Sequence, residues 1–242
     1  MDSTYQPRTY RAESGGEDLL AWRIVIAETD LYLQAERELR ELSQEAAREA
    51  RAQVEREIAR RPEFATSLHP LLAPEDAAPL VAEMYAAAAL AGVGPMAAVA
   101  GAIAEWVGTA LEAESPQVIV ENGGDLFLAT ARERLVQVRA GQSPFSGKLA
   151  LVMAPGTRGG VCTSSGTVGH SYSAGRADAA VIVASDAALA DAVASGLGNR
   201  VLRPEDAEEA VAWALEVPDV TGALVICGLQ LAAGGGVELR RL

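Results

Sequence analysis

The sequence has very few of the side chains that form disulfide bridges or zinc sites. Its 242 residues include two cysteines, Cys162 and Cys227, and two histidines, His69 and His170. Two cysteines cannot build a disulfide framework, and their scarcity is typical of a protein of the reducing cytoplasm. So few thiol and imidazole ligands also argue against a structural zinc site. Any bound metal is therefore expected to be a hard cation on oxygen ligands.

Positive charge is also in short supply. Lys and Arg number 20 against 33 Asp and Glu, which gives a formal net charge of −13. A nucleic-acid-binding protein needs basic residues to displace phosphate counterions, so this balance argues against a nucleic-acid partner. Hydrophobic residues make up 50% of the chain and charged residues 22%. That composition is typical of a packed core and excludes a largely disordered chain.

No segment has the pattern of a signal peptide or of a membrane span. The first residues of the chain lack an apolar h-region. The most apolar stretch, residues 86–107, is interrupted by Gly92, Gly94 and Pro95 and carries Glu105. It therefore predicts two buried helices in place of a span. We expect a cytoplasmic protein with no membrane partner.

The periodicity of apolar residues changes within the first 61 residues. Residues 19–27 are mostly apolar and predict a strand, whereas from Leu31 to Ile58 apolar residues recur three or four positions apart. This spacing predicts one long helix over 31–61, ended by Pro62. Its other face carries opposite charges four apart and is expected to be solvated. These pairs are Glu36–Arg40, Arg37–Glu41, Arg51–Glu55 and Glu57–Arg61.

The rest of the chain alternates helical and short extended segments. Helices are predicted over 74–91, 95–114, 186–197 and 204–215. Strands are predicted over 118–121, 126–130, 135–139, 149–153, 179–184, 223–227 and 237–242, and a Gly-, Ser- and Thr-rich loop over 155–176. Because Gly, Pro and Ser separate the strands as in hairpins, we predict mostly antiparallel sheets. The whole is predicted to be one α+β domain over 1–242, with Ala-rich helices and one long N-terminal helix.

Two segments place glycines and hydroxyls beside apolar strands. In the first, an apolar strand ends in Asn122-Gly123-Gly124-Asp125 and another strand begins at once. Asn-Gly predicts a hairpin turn, and the two glycines would also let a ligand approach the backbone.

The second segment, residues 161–170, carries hydroxyls and glycines that suit a phosphate cradle, although it matches neither a P-loop nor a nucleophile elbow. Its candidate ligand-binding residues are Thr163, Ser164, Ser165 and Gly166. The neighbouring His170 either orients a ligand or makes a structural hydrogen bond. Cys162 is expected to be a small core residue.

Two further segments are helical. In residues 186–197, Asp191 and Ser195 lie four apart and so share one helix face, about 200° from the apolar stripe. They are either exposed to solvent or form an oxygen pair for a hard cation. In residues 92–101, a Gly-rich turn opens a helix. Its N–H groups could face an anion, but close packing through small residues is the interpretation that we favour.

Taken in order, these segments resemble the ApbE-like superfamily, and most closely its short cytoplasmic branch labelled thiamine-biosynthesis-like. Residues 120–126 resemble the family's Asn-x-Gly-Gly-Asp turn, and Thr163 to Gly166 with His170 resemble its Thr-Ser-Gly loop and later His. Residues 190–197 resemble its Ala-Asp-Ala-Leu-Ala-Thr-Ala-Leu helix, with Asp191 on the Asp and Ser195 on the Thr. The resemblance covers most of residues 92–197.

The resemblance implies the ApbE fold and the cofactors FAD and Mg²⁺, since family members are FAD:protein FMN transferases. It implies that Asp191 and Ser195 bind magnesium, and that the Asn-Gly-Gly-Asp turn and the Thr-Ser-Ser-Gly segment bind the cofactor. Two family motifs are missing. The Lys-Gly-Tyr stretch reads Ala98-Val-Ala-Gly101 here, and Ser-Tyr-Ser-Ala-Gly-Arg176 replaces the Asp-Pro-x-x-Gly that follows the family His.

Three hypotheses therefore stay open. The first is a flavin-handling enzyme in which Asp191 and Ser195 hold Mg²⁺ against a dinucleotide pyrophosphate. The second is a non-catalytic protein that binds a flavin or another small anionic metabolite. Because the chain is strongly acidic, such a ligand needs local compensation from N–H groups, a metal or Arg176. The third is a scaffold in which helix 31–61 forms a homodimer contact.

Overall fold

The structure, a computed structural model, describes residues 18–166 and 175–242. In these ranges it has six α-helices: α1 (Arg40–Arg60), α2 (Glu63–Thr66), α3 (Pro79–Ala91), α4 (Val99–Glu112), α5 (Ala187–Arg200) and α6 (Ala207–Glu216). Its strands are β1 (Leu20–Ile26), β2 (Thr29–Ala35), β3 (Val118–Asn122), β4 (Asp125–Ala129), β5 (Arg134–Gln137), β6 (Leu149–Met153), β7 (Arg158–Ser164), β8 (Ala179–Ala184), β9 (Val220–Cys227), β10 (Gln230–Gly235) and β11 (Leu239–Arg241). Short 3₁₀ turns, Pro95–Ala98 and Pro204–Asp206, precede α4 and α6.

Eight strands form one sheet in the order β1-β2-β3-β4-β7-β8-β9-β10, and every neighbouring pair is antiparallel. The other three form a small antiparallel sheet in the order β11-β6-β5. The strands of the large sheet follow one another in the order of the chain. Helices are inserted between β2 and β3 and between β8 and β9, and the small-sheet strands β5 and β6 are inserted between β4 and β7. The predicted α+β fold with mostly antiparallel sheets is confirmed.

Side-chain alternation along the strands builds a core on each face of the large sheet. In β4, Phe127 points to the helices while Leu128 points to the small sheet. In β8, Ile182 points to the helices and Val181 to the small sheet, as the two-residue period of a strand requires. The molecule therefore has three layers, with helices, large sheet and small sheet in that order.

The prediction of one helix over 31–61 is wrong in its first part. Residues Thr29–Ala35 form β2, which pairs with β1 and β3, and α1 begins only at Arg40. Leu31, Leu33 and Ala35 are fully buried, so the two-residue period prevails over the helical spacing that Leu31 and Ala35 also satisfy.

Of the four charge pairs predicted along that helix, all within the described residues, two are present and two are not. Arg37 lies before α1 and pairs with Glu114, so neither of the first two predicted pairs stabilises a helix. The other two are present: Arg51 lies 2.8 Å from Glu55, and Arg61 lies 3.7 Å from Glu57.

The prediction of a loop over 155–176 is also wrong, because it contains β7. This strand lies between β4 and β8 in the large sheet. A Cβ on Gly159 would lie 2.3 Å from the carbonyl oxygen of Ala184, and one on Gly160 would lie 2.4 Å from the Cα of Ala187. These glycines are therefore needed where the end of β8 and the start of α5 pack closely against the strand. Near the C-terminus, the predicted strand 237–242 is shorter, Leu239–Arg241, and follows a strand that was not predicted, β10.

Within the described ranges, no single helix has the length and hydropathy of a membrane span. The helix pair Pro79–Ala91 and Pro95–Glu112, bent by 106°, reaches that threshold only when its two members are taken together.

Candidate functional site

The candidate site lies where α4 crosses α5 above the large sheet. Gly101, in the first turn of α4, is the residue that allows the approach. A Cβ there would lie 2.0 Å from the carbonyl oxygen of Ala187 and 2.9 Å from the Cβ of Asp191. Residues 92–101 therefore allow close helix packing, as the favoured interpretation of that segment predicted.

Asp191 of α5 closes the N-terminus of α4. Its Oδ2 accepts a hydrogen bond of 2.9 Å from the N–H of Gly101, and the N–H of Ala100 donates to the same carboxylate. The first N–H groups of a helix have no partner within the helix, and Ala98 at the N-cap has no side-chain acceptor. Asp191 thus supplies the missing acceptor, and these two N–H groups are occupied by protein.

The Asn122-Gly123-Gly124-Asp125 segment forms the predicted hairpin turn between β3 and β4. Gly123 and Gly124 have φ angles of 72° and 112°, in the region that favours glycine. The N–H of Gly124 donates to Oε1 of Glu121 over 2.9 Å. Asn122, buried at the end of β3, donates from Nδ2 to the carbonyl oxygen of Ala100 over 3.1 Å. The turn is thereby attached to the beginning of α4.

Asp125 connects the same turn to β7. It is buried, and its Oδ1 accepts a hydrogen bond of 3.2 Å from the N–H of Thr163. Thr163 and Ser164 are paired with Val181 and Ala180 of β8.

Because Thr163 and Ser164 are strand residues, the segment 163–166 is not one continuous loop, and phosphate binding by this segment stays a prediction. Beyond the strand, Ser165 is half-buried, and the N–H of Gly166 donates to the carbonyl oxygen of Ala177 over 3.0 Å. The backbone donors of Thr163 and Gly166 are consequently already in use.

Asp125 and Asp191 influence each other electrostatically. Burial raises the pKa of Asp191 well above its usual range, and the charge of Asp125 raises it further, against the two N–H donors from α4. The same causes act on Cys162, which lies in β7 under the start of α5. Burial and then the charges of Asp125 and Asp191 raise the pKa of its thiol. Cys162 is fully buried and neutral, which suits a core residue and not a nucleophile.

The remaining predicted site residues lie at different places. Ser195 follows Asp191 by one turn of α5 and is half-buried. Gly166 and Arg176 line a separate cavity of about 660 Å³, together with Arg203 and Cys227. That cavity has neither Asp125 nor Asp191 in its wall. His170 lies outside the described residues.

The groups around Asp191 offer oxygen donors, and the thiol of Cys162 lies beside them within hydrogen-bonding reach of Asp125. Among the described residues, no group of three His, Cys, Asp or Glu side chains could hold a metal ion. The carboxylates of Asp125 and Asp191 remain, with the hydroxyl of Ser195 nearby on α5. Each carboxylate has about four acceptor positions, so the two N–H groups bound to Asp191 leave capacity for a cation. The interaction between Asp125 and Asp191 was not predicted, and only the order of their motifs in the sequence hints at it.

Sequence comparisons with known proteins match this chain to a family and to several relatives. The family described as "AbpE bacteria" matches residues 11–231. A UPF0280 protein of Methanosphaerula palustris is 45% identical over 202 residues, which cover 81% of this chain and 82% of the relative. Another from Methanocella arvoryzae is 44% identical over 187 residues, or 76% of each chain.

Solved structures give the fold. The flavin transferase ApbE from Vibrio cholerae superposes with a TM-score of 0.59 at 12% identity, covering 90% of this chain and 96% of that one. The ApbE protein from Thermotoga maritima gives a TM-score of 0.56 at 14% identity, covering 91% and 96%. The chain therefore has an ApbE-like fold and belongs to the AbpE bacteria family.

Proposed function

We propose that this protein binds the flavin dinucleotide FAD, with Mg²⁺ held beside Asp191. One observation carries the proposal. The start of α4, the turn between β3 and β4, strand β7 and helix α5 are far apart in sequence, and they meet at two interacting carboxylates, Asp125 and Asp191. The hydrogen bonds of Asn122 and Asp125 fix the hairpin turn against both α4 and β7. Because these groups are fixed before any ligand arrives, little further ordering is needed to bind one.

The fold and the motifs support a flavin nucleotide as the ligand. ApbE from Vibrio cholerae is a flavin transferase with this fold, and the Asn-Gly-Gly-Asp turn and the α5 helix resemble the motifs of that superfamily. These likenesses support a flavin nucleotide over other small anionic metabolites.

The residues present fit Mg²⁺. Two carboxylates and a hydroxyl are the hard oxygen ligands that this ion prefers, and a cation would offset the burial and the repulsion by Asp125 that together raise the pKa of Asp191. Asp191 and Ser195 would hold the ion, with Asp125 as the second negative charge. When bound, Mg²⁺ supplies charge neutralisation for the pyrophosphate of the dinucleotide. Asp191 itself is oriented by the N–H groups of Ala100 and Gly101.

The first prediction concerns Asp191→Asn. We expect flavin fluorescence titration to detect FAD binding that is tighter with Mg²⁺, and expect the variant to lose the Mg²⁺ dependence because one anionic ligand is gone. Glu216→Gln removes an equally negative but exposed charge on α6 and serves as the control. Absence of FAD binding under either condition would overturn the proposed function. Binding with the same Mg²⁺ dependence in Asp191→Asn would overturn only the metal site.

Binding without transfer is the form of this function that we favour. Residues Ala98 to Gly101 stand where the family has Lys-Gly-Tyr, and here they form the start of α4 with its N–H groups bound to Asp191. Incubation with FAD and Mg²⁺ tests the alternative, since cleavage of the pyrophosphate releases AMP. A steady release of AMP above that of the Asp191→Asn variant would identify an enzyme.

A further inference from the structure

The outer surface of the helical layer contains an open groove of about 870 Å³ between α1, α3 and α4. Its floor is apolar and is made largely of small side chains. The floor residues are Leu42, Ala46, Ala87, Leu90, Trp106 and Ala110. Leu90 is 48% exposed, and the indole of Trp106 is half-buried. None of the residues around Asp125 and Asp191 discussed above lines this groove.

The rim of the groove is strongly acidic. Six carboxylates surround the floor: Glu45, Glu49, Glu83, Glu105, Asp186 and Asp219. Among the residues that the structure describes, Arg158 is the single cation in the wall. Its guanidinium already contacts Glu105 at 3.3 Å and Glu112 at 3.1 Å. The groove therefore has a large excess of negative charge over an apolar surface.

Several of these carboxylates, Glu45, Glu49 and Glu83 among them, are not used by the fold. Glu105 accepts a hydrogen bond of 2.5 Å from the N–H of Ala187, and Asp186 caps α5 through the N–H of Leu189. In contrast, Glu45, Glu49 and Glu83 are exposed and form no ion pair with any part of the chain that the structure describes.

The charge pattern of α1 changes where it faces the groove. Further along the helix, Arg51 and Glu55 form a stabilising pair four residues apart. Beside the groove, the residues four apart are Glu41, Glu45 and Glu49. Like charges at this spacing destabilise a helix by about 0.2–0.5 kcal/mol per pair. The fold thus maintains an unfavourable arrangement at the rim that a positively charged partner would relieve.

We propose that this groove binds a basic amphipathic helix of a partner protein. Apolar residues of that helix would pack on the floor, and flanking Lys or Arg side chains would reach Glu45, Glu49 and Glu83. A helix suits the groove better than an extended segment, because helices form its walls and no strand edge is available to pair with an extended backbone. A second copy of this chain is disfavoured, since each carries a net charge of −13.

The groove is open to solvent, so a helix lying across its rim would place apolar side chains on the floor. The indole of Trp106 offers a ring face for a Lys or Arg side chain, a contact worth about 0.5–1 kcal/mol at an exposed site.

The test uses fluorescence anisotropy with a labelled helix of about 18 residues, five turns long, that carries Leu on one face and Lys on the other. A scrambled peptide of the same composition, with no apolar face, is the matched probe. We expect the amphipathic peptide to bind about tenfold more tightly than the scrambled one. We expect E45K/E49K to weaken its binding by about tenfold, and Leu90→Asp to weaken it comparably.

E208K/E209K is the control variant, because it makes the same change in net charge on exposed positions of α6. We expect this control to bind the peptide as the original protein does. Circular dichroism of each variant checks that the fold is intact. Equal binding of both peptides, or equal weakening by the control variant, would overturn the proposal and leave only a diffuse attraction between opposite charges. No binding at all would overturn it as well.

Discussion

Asp191 links two helices through one side chain. Its carboxylate accepts hydrogen bonds from the first N–H groups of α4, while its own backbone belongs to α5. The interaction places a negative charge at the positive end of the α4 dipole, which is favourable. The nearby charge of Asp125 opposes it. The position of this carboxylate therefore depends on how closely the two helices approach each other.

Gly101→Ala tests that dependence. The added methyl group would lie 2.0 Å from a backbone carbonyl oxygen, and no side-chain rotation can relieve this overlap. We expect a loss of about 1–3 kcal/mol in the free energy of unfolding, the usual cost of overpacking, in spite of the better helix propensity of alanine. Chemical denaturation measures the loss.

The control for this substitution is Gly236→Ala, where the new Cβ would lie 3.5 Å from the oxygen of Thr221. This variant is expected to unfold close to the original midpoint. If Gly101→Ala were as stable as the original protein, the close crossing of α4 and α5 would not be a constraint.

At the residue scale, sequence reasoning found the participants but not their contacts. Asn122, Asp125 and Asp191 were identified from motifs, and all three lie at the candidate site. Their partners could not be predicted, because the N–H groups of Ala100 and Gly101 and the position of Cys162 depend on the packing of α4 and α5. The alternative considered for Asp191 was exposure to solvent. It does not hold, because α4 packs over the face of α5 that carries Asp191, and helical spacing within α5 cannot reveal a neighbouring helix.

Among the elements, the start of β1 is tied to β3 and β5 by a half-buried arginine. Arg134 donates to both oxygens of Asp18, over 2.9 and 2.7 Å, and to Gln117 Oε1 over 2.9 Å. The hydrogen bonds from Arg134 lower the pKa of Asp18 from 3.8 to about 2. The contact holds the first described residues of the chain against the small sheet.

Acid titration tests this link. Because the pKa of Asp18 is lower in the folded state, the folded protein binds fewer protons than the unfolded chain, so the contact stabilises the fold above its unfolded pKa. That stabilisation is lost as the pH falls through about 2. We expect Asp18→Asn to lower the melting temperature at neutral pH, and the difference from the original protein to disappear near pH 2.

The same substitution at Asp76 serves as a control. Asp76 pairs with Arg60 at the surface, where its side chain is 68% exposed, and such pairs contribute little. We expect Asp76→Asn to melt near the original temperature at neutral pH. A pH-independent difference for Asp18→Asn would contradict the assigned ionisation.

At the scale of elements, segments with one clear period were predicted well. The strands 149–153 and 179–184 have their predicted bounds in β6 and β8. The errors fall where two periods overlap or where glycine interrupts a strand. Leu31 and Ala35 satisfy both a helix and a strand, and only the pairing of β2 with the distant β3 decides between them. Gly159 and Gly160 read as loop residues, because their contacts with the end of β8 and the start of α5 are invisible in the local sequence.

For the whole molecule, the two cysteines lie in the same core but differ in their access to solvent. Both cysteines are free and buried. Cys162 lies in the core between the sheet and the helices, and burial raises its pKa well above the usual value. Burial raises the pKa of Cys227 too, but this thiol lies in the wall of the cavity that contains Arg176.

Thiol labelling should therefore separate the two cysteines. We expect Cys227 to react slowly in the native protein through local opening, and Cys162 to react only when the whole molecule unfolds. The rate of labelling in Cys227→Ser reports Cys162 alone, and is expected to follow the denaturant dependence of global unfolding. Rapid labelling of Cys162 without denaturant would indicate that α5 separates readily from β7.

The sheet order has a consequence for the time course of folding. The strands β3 and β4 can pair as a local hairpin, whereas β2 must wait for β3 across the whole of residues 36–117. Closing such a long segment is entropically costly and slows folding. During synthesis, the β1–β2 hairpin leaves the ribosome with its apolar face uncovered until α1, α3 and α4 have followed. This interval is when a nascent chain of this family is most exposed to aggregation.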